Sequence, residues 1–261
     1  AASDVYKRQN EFDRSALSFQ RALSKIISAI KSSKESEIIS LKDSIGRISA
    51  ENITSKINIP NFKNSAMDGY AINTKSLLNK VKTKLKEAGV SFAGKPYLKK
   101  LRKNETIKVM TGAVIPENAD AVIMKEMVDI SDGYISLPKN FKSGQNVRYI
   151  GEDIKKFSVI VHKGKELTYV DLGIIASVGI KKIKVIKKPT VSFFSTGDEL
   201  TSIGKKLKKG QIYDSNRYLL YGLLSELPVK IEDMGVVQDS KNKLKKKFIE
   251  ASKKSNFILS L

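Results

Sequence analysis

Four short segments of the sequence bring together the residue types that handle small anions. Each contains glycine, and between them they carry Ser or Thr hydroxyls, an Arg and Asp or Glu carboxylates; they span residues 65–71, 110–113, 146–153 and 195–200. Glycine lets a backbone approach a ligand closely, and a hydroxyl both donates and accepts hydrogen bonds. Arg can pair with phosphate, and carboxylates can bind a divalent cation. The segments therefore predict a site for a phosphorylated or other anionic substrate together with a metal ion.

The first three segments also have ordinary structural interpretations. Asp68 precedes a glycine in a polar turn, so its carboxylate could simply close that turn. Thr111 could lie in a plain turn at the end of a strand, and Arg148 could form an ion pair with the carboxylates that follow it. The residues alone leave both interpretations open at each segment.

The fourth segment lies where a parallel sheet would bind a ligand. Strand-like TVSFFST, VKIEDMGVV and NFILSL alternate with helix-like SNRYLLYGLLSEL and KNKLKKKFIEASKK. This order predicts a β-α-β-α-β unit, in which ligands bind beyond the carboxyl ends of the strands. Ser195, Thr196 and Glu199 fall at the end of the first strand and Asp239 after the second. Asp214 is interpreted as the cap of the intervening helix.

The residues before this unit predict a mainly β region with few helices. Helical spacing of apolar residues predicts a helix over about 13–31, capped by Asp13 and packed against a core. The segment 43–53 predicts a second, short helix. Short β-branched runs separated by Gly, Pro and Asn predict a small β module at about 72–147.

These elements divide the chain into three parts. We interpret residues 1–9 as a leader foreign to the natural protein, because they fit no element of the pattern. Residues 10–187 form the N-terminal region that includes the β module. Residues 188–261 form the α/β domain.

Composition excludes several classes of chemistry. The 261-residue chain has no Cys and a single His, His162, which argues against thiolate sites, disulfides, cysteine nucleophiles, serine–histidine triads and multi-histidine metal centres. Its formal net charge is +21, from 48 Lys or Arg against 27 Asp or Glu. Most of these cations are Lys, which reads phosphates and bases less specifically than Arg. We therefore expect small anionic substrates as partners and not nucleic acid.

The sequence also predicts where the protein works. No apolar run approaches the ~18 residues needed to cross a bilayer, and the polar first residues lack the apolar stretch of a secretory signal. We expect a cytoplasmic protein without membrane contact.

Six motifs together resemble the molybdopterin molybdenumtransferases, which are related to the E domains of gephyrin and its plant counterpart. The motifs are NSAMDGYA, VMTGAVIPENADAVIMKE, GQNVRYIGEDI, ASVGI, STGDEL and GQIYDSNR, in the order and spacing of that family. The resemblance implies an α/β and β multi-domain fold. In that fold an elongated N-terminal region with a small β module precedes a parallel, three-layer α/β molybdopterin-binding domain, which is incomplete here. It also implies insertion of molybdate into adenylylated molybdopterin, with Mg²⁺ and release of AMP, by a homodimer when full length.

The resemblance further implies roles for particular residues. The functional acids of the family fall at Asp68, Asp153, Glu199 and Asp239. Among them Asp68, Glu199 and Asp239 are the expected Mg²⁺ ligands, because carboxylates would repel anionic substrates unless a cation bridged them. Substrate contacts are expected at Ser65, Thr111, Arg148, Ser195 and Thr196.

The sequence departs from the family pattern at its last residue. In the family, the strand that matches NFILSL runs into a glycine-rich loop that helps to hold the pterin phosphate, whereas this sequence ends at Leu261. We therefore expect a truncated fragment that is inactive alone, with one face of its three-stranded sheet bare. The alternative function is a scaffold or interaction protein with an E-domain-like fold. Other cofactor-synthesis proteins are expected as further partners.

Overall fold

The computed structural model describes residues 17–30, 34–77 and 84–261, and the chain divides into two compact units. The central unit comprises residues 38–185. The terminal unit comprises residues 186–261 together with the described part of residues 1–37. Each unit has its own apolar clusters, so each is described by itself.

Strands dominate the central unit, and helices alternate with strands in the terminal unit. The helices are α1 (Phe19–Ala29), α2 (Tyr169–Ser177), α3 (Ser215–Ser225) and α4 (Lys241–Ser252). The first nine strands are β1 (Ser36–Ser40), β2 (Ile53–Thr54), β3 (Asn64–Ser65), β4 (Gly69–Ile72), β5 (Lys84–Ser91), β6 (Glu105–Val109), β7 (Ala121–Met124), β8 (Asp129–Ser131) and β9 (Tyr134–Ser136). The remaining strands are β10 (Val147–Arg148), β11 (Val159–Val161), β12 (Lys182–Ile186), β13 (Thr190–Thr196), β14 (Leu200–Thr201), β15 (Ile212–Tyr213), β16 (Lys230–Val237) and β17 (Phe257–Ser260).

A six-stranded mixed sheet forms the predicted β module. Its strand order is β7-β4-β6-β5-β9-β8, and only β5 and β6 pair in parallel. Successive residues of a strand point to opposite faces. In β4, Ala71 packs in one apolar cluster with Ile107 and Val122, while Ile72 packs in another with Ile123. The β-branched runs of the sequence therefore build a sheet with an apolar cluster on each face.

Short strand pairs complete the central unit. β2 pairs with β11, β3 with β10 and β1 with β12. The helix α2, predicted from LGIIASVGI, packs Ile175 into a cluster with Leu167 and Val185. It begins with a capping box, in which Thr168 and Asp171 satisfy each other's backbone N–H groups.

The prediction of a helix over residues 43–53 is wrong. A single 3-10 turn, Leu41–Asp43, is followed by a turn at residues 45–46 and by isolated β-bridges at Ile48 and Ser49. Gly46 has φ +70°, and its N–H donates to the Leu167 carbonyl at 2.9 Å, while the Ser49 N–H donates to the Lys165 carbonyl at 2.9 Å. Long-range backbone pairing therefore takes the hydrogen bonds that a local helix would use.

The terminal unit confirms the predicted β-α-β-α-β order. Its parallel sheet has the order β16-β13-β17, so the first strand of the unit lies in the centre. From β13 the chain passes to β16 on one side, and it then returns to β17 on the other side of β13. The gap between the carboxyl ends of β13 and β17 is therefore a topological switch point. In open α/β sheets, ligands bind at such a point.

Both faces of this sheet carry a helix, so the expectation of a bare face is wrong. On one face Phe193 lies in a cluster with Leu220 and Leu224 of α3. On the other, the ring of Phe194 makes an edge-to-face contact with Phe248 of α4, with centroids 5.1 Å apart. Phe193 and Phe194 are consecutive in β13 and therefore point to opposite faces. The described part of the domain has three layers.

Helix α1 differs from its prediction in its environment. It begins after Ser18, whose hydroxyl accepts from the Arg21 N–H at 3.4 Å, and none of its residues is buried. The predicted packing against a core is therefore not seen, and the predicted cap, Asp13, lies outside the described residues. Among the helices that the structure describes, none is long and apolar enough to cross a membrane.

Candidate functional site

Strand β3 brings the first three motifs together in the central unit. The Ser65 N–H donates to the Ala113 carbonyl at 3.0 Å, and the Gly112 N–H donates back to the Ser65 carbonyl at 2.8 Å. On its other side Ser65 pairs with Val147 of β10, and the Ala66 N–H donates to the Asn146 carbonyl at 2.9 Å. Three segments that are far apart in sequence therefore meet through main-chain hydrogen bonds.

The Ser65 side chain is part of this scaffold. It is almost fully buried, and its hydroxyl donates to the Met67 carbonyl at 2.6 Å while accepting from the Met67 N–H at 3.3 Å. These bonds fix the turn that precedes Asp68. The Ser65 hydroxyl thus already donates one hydrogen bond and accepts another within the turn. Its contact with substrate stays a prediction.

Asp68 is held by a hydroxyl, an amide and an ammonium group. Its Oδ1 accepts from the Thr111 N–H at 2.8 Å and from the Thr111 hydroxyl at 2.9 Å. Its Oδ2 lies 3.5 Å from the Nζ of Lys125. The hydrogen bonds from Thr111, with the charge of Lys125, lower the pKa of Asp68 below its usual value. Asp68 is therefore ionised at neutral pH and joins the first two motifs through its side chain.

Two glycines are required by the local geometry. A Cβ on Gly69 would lie 2.0 Å from the Ile123 carbonyl oxygen, so only glycine allows β4 to pair with β7 at this point. Gly112 has φ +78°, in the left-handed region that favours glycine. Gly69 directly follows Asp68, and Gly112 directly follows Thr111. The two glycines therefore fix the backbone next to both side chains.

The third motif forms an ion pair on the rim of this site. Arg148 donates through Nη2 to Asp153 Oδ2, and its Nε lies 3.5 Å from Glu152 Oε1. Its hydrogen bond to Asp153, strengthened by the charge, raises the pKa of Arg148. The Asp153 backbone is tied to the Ile59 carbonyl through its N–H at 2.9 Å. The structural interpretation of this motif is therefore realised, and a contact of Arg148 or Asp153 with substrate stays a prediction.

The predicted residues of the terminal unit meet at the carboxyl edge of its sheet. Ser195 is almost fully buried, and its Oγ has no hydrogen-bond partner among the described residues. The Thr196 hydroxyl donates to the Leu261 carbonyl at 2.9 Å. Asp239 follows the neighbouring strand β16, and its N–H donates to Asp198 Oδ1 at 3.4 Å. The buried hydroxyl of Ser192, farther from this edge in the same strand, also has no partner among the described residues, so the contact of Ser195 with substrate stays a prediction.

Glu199 lies over the backbone at this edge. A Cβ on Gly197 would meet the Glu199 Oε2 at 2.6 Å, so the carboxylate covers that glycine. The Gly197 N–H donates to the Val237 carbonyl at 3.1 Å, which joins the ends of the two strands. Glu199 and Asp239 are both exposed, as groups that act on a substrate must be.

The three carboxylates expected to bind Mg²⁺ differ in their surroundings. Among the described residues, no group of three or more His, Asp or Glu side chains is placed to hold a metal ion. Asp68 Oδ1 already accepts from Thr111, and its Oδ2 faces Lys125, so its role as a metal ligand stays a prediction. Glu199 and Asp239 suit the way Mg²⁺ is usually bound, through one or two carboxylates together with substrate phosphates.

Some residues of these two edges were missed by the sequence reasoning. Lys125 lies in the quoted motif ending VIMKE, but nothing in the sequence shows that it faces Asp68. Asp198 lies in the predicted STGDEL segment, yet only the structure shows it contacting Asp239. Spacing along one chain cannot reveal contacts between neighbouring strand ends.

Each of the two units offers polar chemistry of its own. The central unit supplies a hydroxyl, an ammonium and a guanidinium group beside Asp68 and Asp153. The terminal unit supplies exposed carboxylates and an unpaired hydroxyl at the edge where α/β sheets bind ligands. Such groups suit phosphorylated and oxyanion substrates better than apolar ones.

Comparison with known protein families gives two matches that follow this division. Residues 17–179 match the family described as the MoeA N-terminal region, domain I and II. Residues 192–261 match the family described as "Probable molybdopterin binding domain".

Individual relatives and solved structures agree with these matches. The chain is 40% identical over 245 residues to the molybdopterin molybdenumtransferase of Haemophilus influenzae, covering 94% of this chain and 60% of that protein. It is 31% identical over 251 residues to gephyrin of Dictyostelium discoideum, covering 87% of this chain and 35% of that protein. The MoeA protein of Pyrococcus horikoshii OT3, a molybdopterin biosynthesis protein, superposes with a TM-score of 0.86 at 30% identity, over 94% of this chain and 66% of that one.

Proposed function

Because the chain belongs to the MoeA family, we propose that it is part of a molybdopterin molybdenumtransferase, which inserts molybdate into adenylylated molybdopterin and releases AMP. It spans 60% of the length of the H. influenzae relative, so the activity is proposed for the whole protein that contains it. The observation that carries the proposal is the meeting of three family motifs at β3, where Asp68 holds Thr111 and Lys125.

The substrates suit the groups at both sites. Molybdate, the pterin phosphate and AMP are all anions, which cationic side chains and hydroxyl donors bind. In the proposal, Thr111 and Arg148 contact the anionic substrate from the central unit. In the terminal unit, Ser195 and Thr196 contact an anionic substrate group at the carboxyl edge of β13. The dithiolene sulfurs that receive the molybdenum belong to the substrate, which is why a chain without Cys can serve this chemistry.

The acids have two different roles in the proposal. Asp68 holds the Thr111 hydroxyl and the Lys125 ammonium toward the substrate, and Asp153 does the same for Arg148. Glu199 and Asp239 would hold Mg²⁺ with substrate phosphates, and the ion would offset the negative charge of the phosphoanhydride that is cleaved when AMP leaves.

The oligomeric state is also a proposal. Helix α1 exposes Phe19, Ile26 and Ile27, with 75%, 58% and 62% of their surfaces accessible. Apolar side chains grouped on one helix support contact with another protein surface. We propose a homodimer of the whole, cytoplasmic protein, with contacts to other cofactor-synthesis proteins. The alternative is a scaffold protein, whose exposed apolar surfaces bind partner peptides. The similarity to gephyrin supports this alternative.

The test is molybdate insertion by the longest natural protein that contains this chain. Purified protein is incubated with adenylylated molybdopterin, molybdate and Mg²⁺, and AMP and molybdenum cofactor are measured. Asp68→Ala and Glu199→Ala are each expected to reduce the rate about a hundredfold, which is typical when a positioned group is lost. Asp129→Ala, an exposed residue of β8, is the matched control.

Two outcomes would contradict the proposal. Wild-type protein that binds partner proteins but never releases AMP would favour the scaffold function. Full activity in both Ala variants would remove these acids from the site. The 261-residue chain alone is expected to be inactive in the same assay, and molybdate insertion by it would refute that expectation.

A further inference from the structure

Arg217 in α3 has an unusual environment for an arginine. It is only 8% exposed. Its Nε donates to Asp214 Oδ2 at 3.1 Å, and its Nη1 donates to both oxygens of Asp233 at 2.9 and 3.0 Å. One guanidinium group therefore joins the residue before α3 to a residue in the middle of β16.

The Asp214 side of this cluster continues to Glu199. Asp214 caps α3 by accepting from the Arg217 N–H at 3.2 Å, and its own N–H donates to the Thr201 carbonyl at 3.1 Å. Two residues earlier, the Ile212 N–H donates to the Glu199 carbonyl at 2.9 Å, within the β14–β15 pair. The backbone of Glu199 is thus tied to the segment that the guanidinium group holds.

The Asp233 side continues to Asp239. Asp233 Oδ1 also accepts from the Gly235 N–H at 2.9 Å, where Gly235 has φ +79°. Here the pairing register shifts: Phe193 lies opposite Asp233, but Ser195 lies opposite Val236. The extra residue is a β-bulge, and bulges redirect the strand that follows them. The position of the end of β16, and so of Asp239, depends on this bulge.

The two sides meet again at the carboxyl edge. The Gly197 N–H donates to the Val237 carbonyl at 3.1 Å, and the Asp239 N–H donates to Asp198 Oδ1 at 3.4 Å. These hydrogen bonds, together with the backbone between them, connect Arg217 to the segments that carry Glu199 and Asp239, and connect those two segments to each other.

We propose that Arg217 is a positioning residue that sets the distance between Glu199 and Asp239 by clamping the start of α3 to the bulge of β16. The proposal rests on the role given to these two acids in the proposed function. The planar, forked guanidinium group is needed because it reaches two carboxylates in fixed directions, which a lysine ammonium cannot do.

Stability alone does not account for this cluster. The Arg217–Asp214 pair is buried, whereas the Asp233 side chain is 34% exposed. A buried ion pair loses much of its attraction to desolvation, and apolar residues of similar size often replace one without loss. The terminal unit has such residues elsewhere, at Phe193 and Leu224. A clamp with a defined direction is what the charged cluster adds.

Amide hydrogen exchange of the chain tests the clamp directly. In Arg217→Lys, exchange at Gly197, Ile212 and Asp239 is expected to rise about tenfold, which is local opening, while exchange at Phe193 in the centre of the sheet stays unchanged. Asp233→Asn is expected to raise exchange at the same amides by less than Arg217→Lys does, because Oδ1 can still accept from Gly235 and Arg217 while Nδ2 cannot accept the second bond from Nη1. Lys247→Met, which removes an ion pair with Glu250 on α4, is the matched control.

Binding of Mn²⁺ alone, as a stand-in for Mg²⁺, gives the second readout. Paramagnetic broadening at Glu199 and Asp239 in the wild-type chain should weaken in Arg217→Lys and weaken less in Asp233→Asn. Exchange that rises equally across the whole sheet, or at none of the named amides, would overturn the positioning role. Absence of Mn²⁺ binding in wild type would count against the proposed metal and not against the clamp, which the exchange pattern decides.

Discussion

At the scale of single residues, the site of the central unit depends on how Asp68 is kept ionised and in place. Thr111 gives it two hydrogen bonds and Lys125 faces its second oxygen. A carboxylate satisfied in this way is a rigid acceptor and a fixed negative charge. Its negative charge is balanced locally, so it does not repel an arriving anion as a bare carboxylate would.

Replacing Thr111 by Val should raise the pKa of Asp68. The hydroxyl donor is lost, while the backbone N–H donor remains, so the pKa should move part of the way back toward its usual value. Carbon-detected NMR titration of the side-chain carboxyls measures this. Asp120, whose pKa is also lowered, accepts from Thr74 and Ser143 and serves as the internal control, since its titration should not change. An unchanged Asp68 would mean that the hydroxyl bond does not form in solution.

The sign of the pH effect follows from the same bonds. The pKa of Asp68 is lower in the folded protein than in the unfolded chain. Its contribution to stability is therefore complete at a pH above the unfolded pKa and is lost as the pH falls through the folded pKa. Thr111→Val should therefore lower stability at neutral pH, and this loss should shrink as the pH falls through the folded pKa of Asp68.

Gly69 and Gly112 should respond differently to replacement by Ala. Gly69→Ala places a Cβ 2.0 Å from a backbone oxygen, which β4 and β7 can relieve only by separating, so we expect a loss of at least about 3 kcal/mol of unfolding free energy. Gly112→Ala meets no atom within 4 Å but keeps φ +78°, which costs about 1–2 kcal/mol. Urea unfolding compares the two. Equal losses would show that the strand pairing at Gly69 is looser than the structure indicates.

At the scale of elements, helix α2 is fixed by one carboxylate. Asp171 is only 2% exposed and accepts from the Thr168 N–H and hydroxyl at 2.9 and 2.8 Å, and Lys165 also donates to it. Burial raises the pKa of Asp171, but the bonds from Lys165 and Thr168 outweigh it, so the net pKa is lowered. The carboxylate thus caps the helix and joins it to the preceding hairpin.

Asp171→Ala should destabilise the protein by about 2 kcal/mol at neutral pH, since it removes a cap and leaves buried donors unpaired. The deficit should shrink in acid, because the lowered pKa means that the wild-type contribution is lost as the pH falls through the folded value. Urea unfolding at neutral and acidic pH gives both numbers. Asp129→Ala, on exposed β8, should change stability by less than about 0.5 kcal/mol. A deficit that persists below the folded pKa would assign the effect to packing.

Elements were predictable where local pattern and tertiary structure agree. The strand and helix alternation from β13 to β17 and the Asp214 cap follow from apolar runs and capping residues. The segment 43–53 failed because its isoleucines have helical spacing, whereas Gly46 takes φ +70° and its neighbours bond to residues near 165. The residue types of the site were visible in the sequence, but the contacts of Asp68 with Lys125 and of Arg217 with Asp233 depend on strand register. Register is set by distant pairings that a single sequence does not reveal.

At the scale of the whole molecule, the central unit should fold by itself. Three buried apolar clusters lie within it, built around Ile107, Ile72 and Ile175. A polypeptide of residues 36–186, which keeps the β1–β12 pair intact, is expected to show cooperative thermal unfolding and dispersed NMR signals. The same polypeptide with Ile107→Asp should be unfolded. A disordered spectrum for the wild-type polypeptide would show that the unit needs the rest of the chain.

The net charge of +21 has a general consequence at this scale. A Lys-rich surface raises the local concentration of small anions and speeds their encounter with the protein, more strongly at low ionic strength. Encounter is all that the surface contributes. Selection among anions belongs to the few groups whose directions the fold fixes.

The joining of three segments at β3 through main-chain hydrogen bonds bears on how this site can diverge or be redesigned. Amide and carbonyl groups persist through almost any substitution, so the framework at Ser65 does not depend on the side chains that face the ligand. Substitutions at 111, 125 and 148 can therefore be explored without disrupting the main-chain scaffold. The tolerance stops at Gly69, where the backbone itself leaves no room for variation.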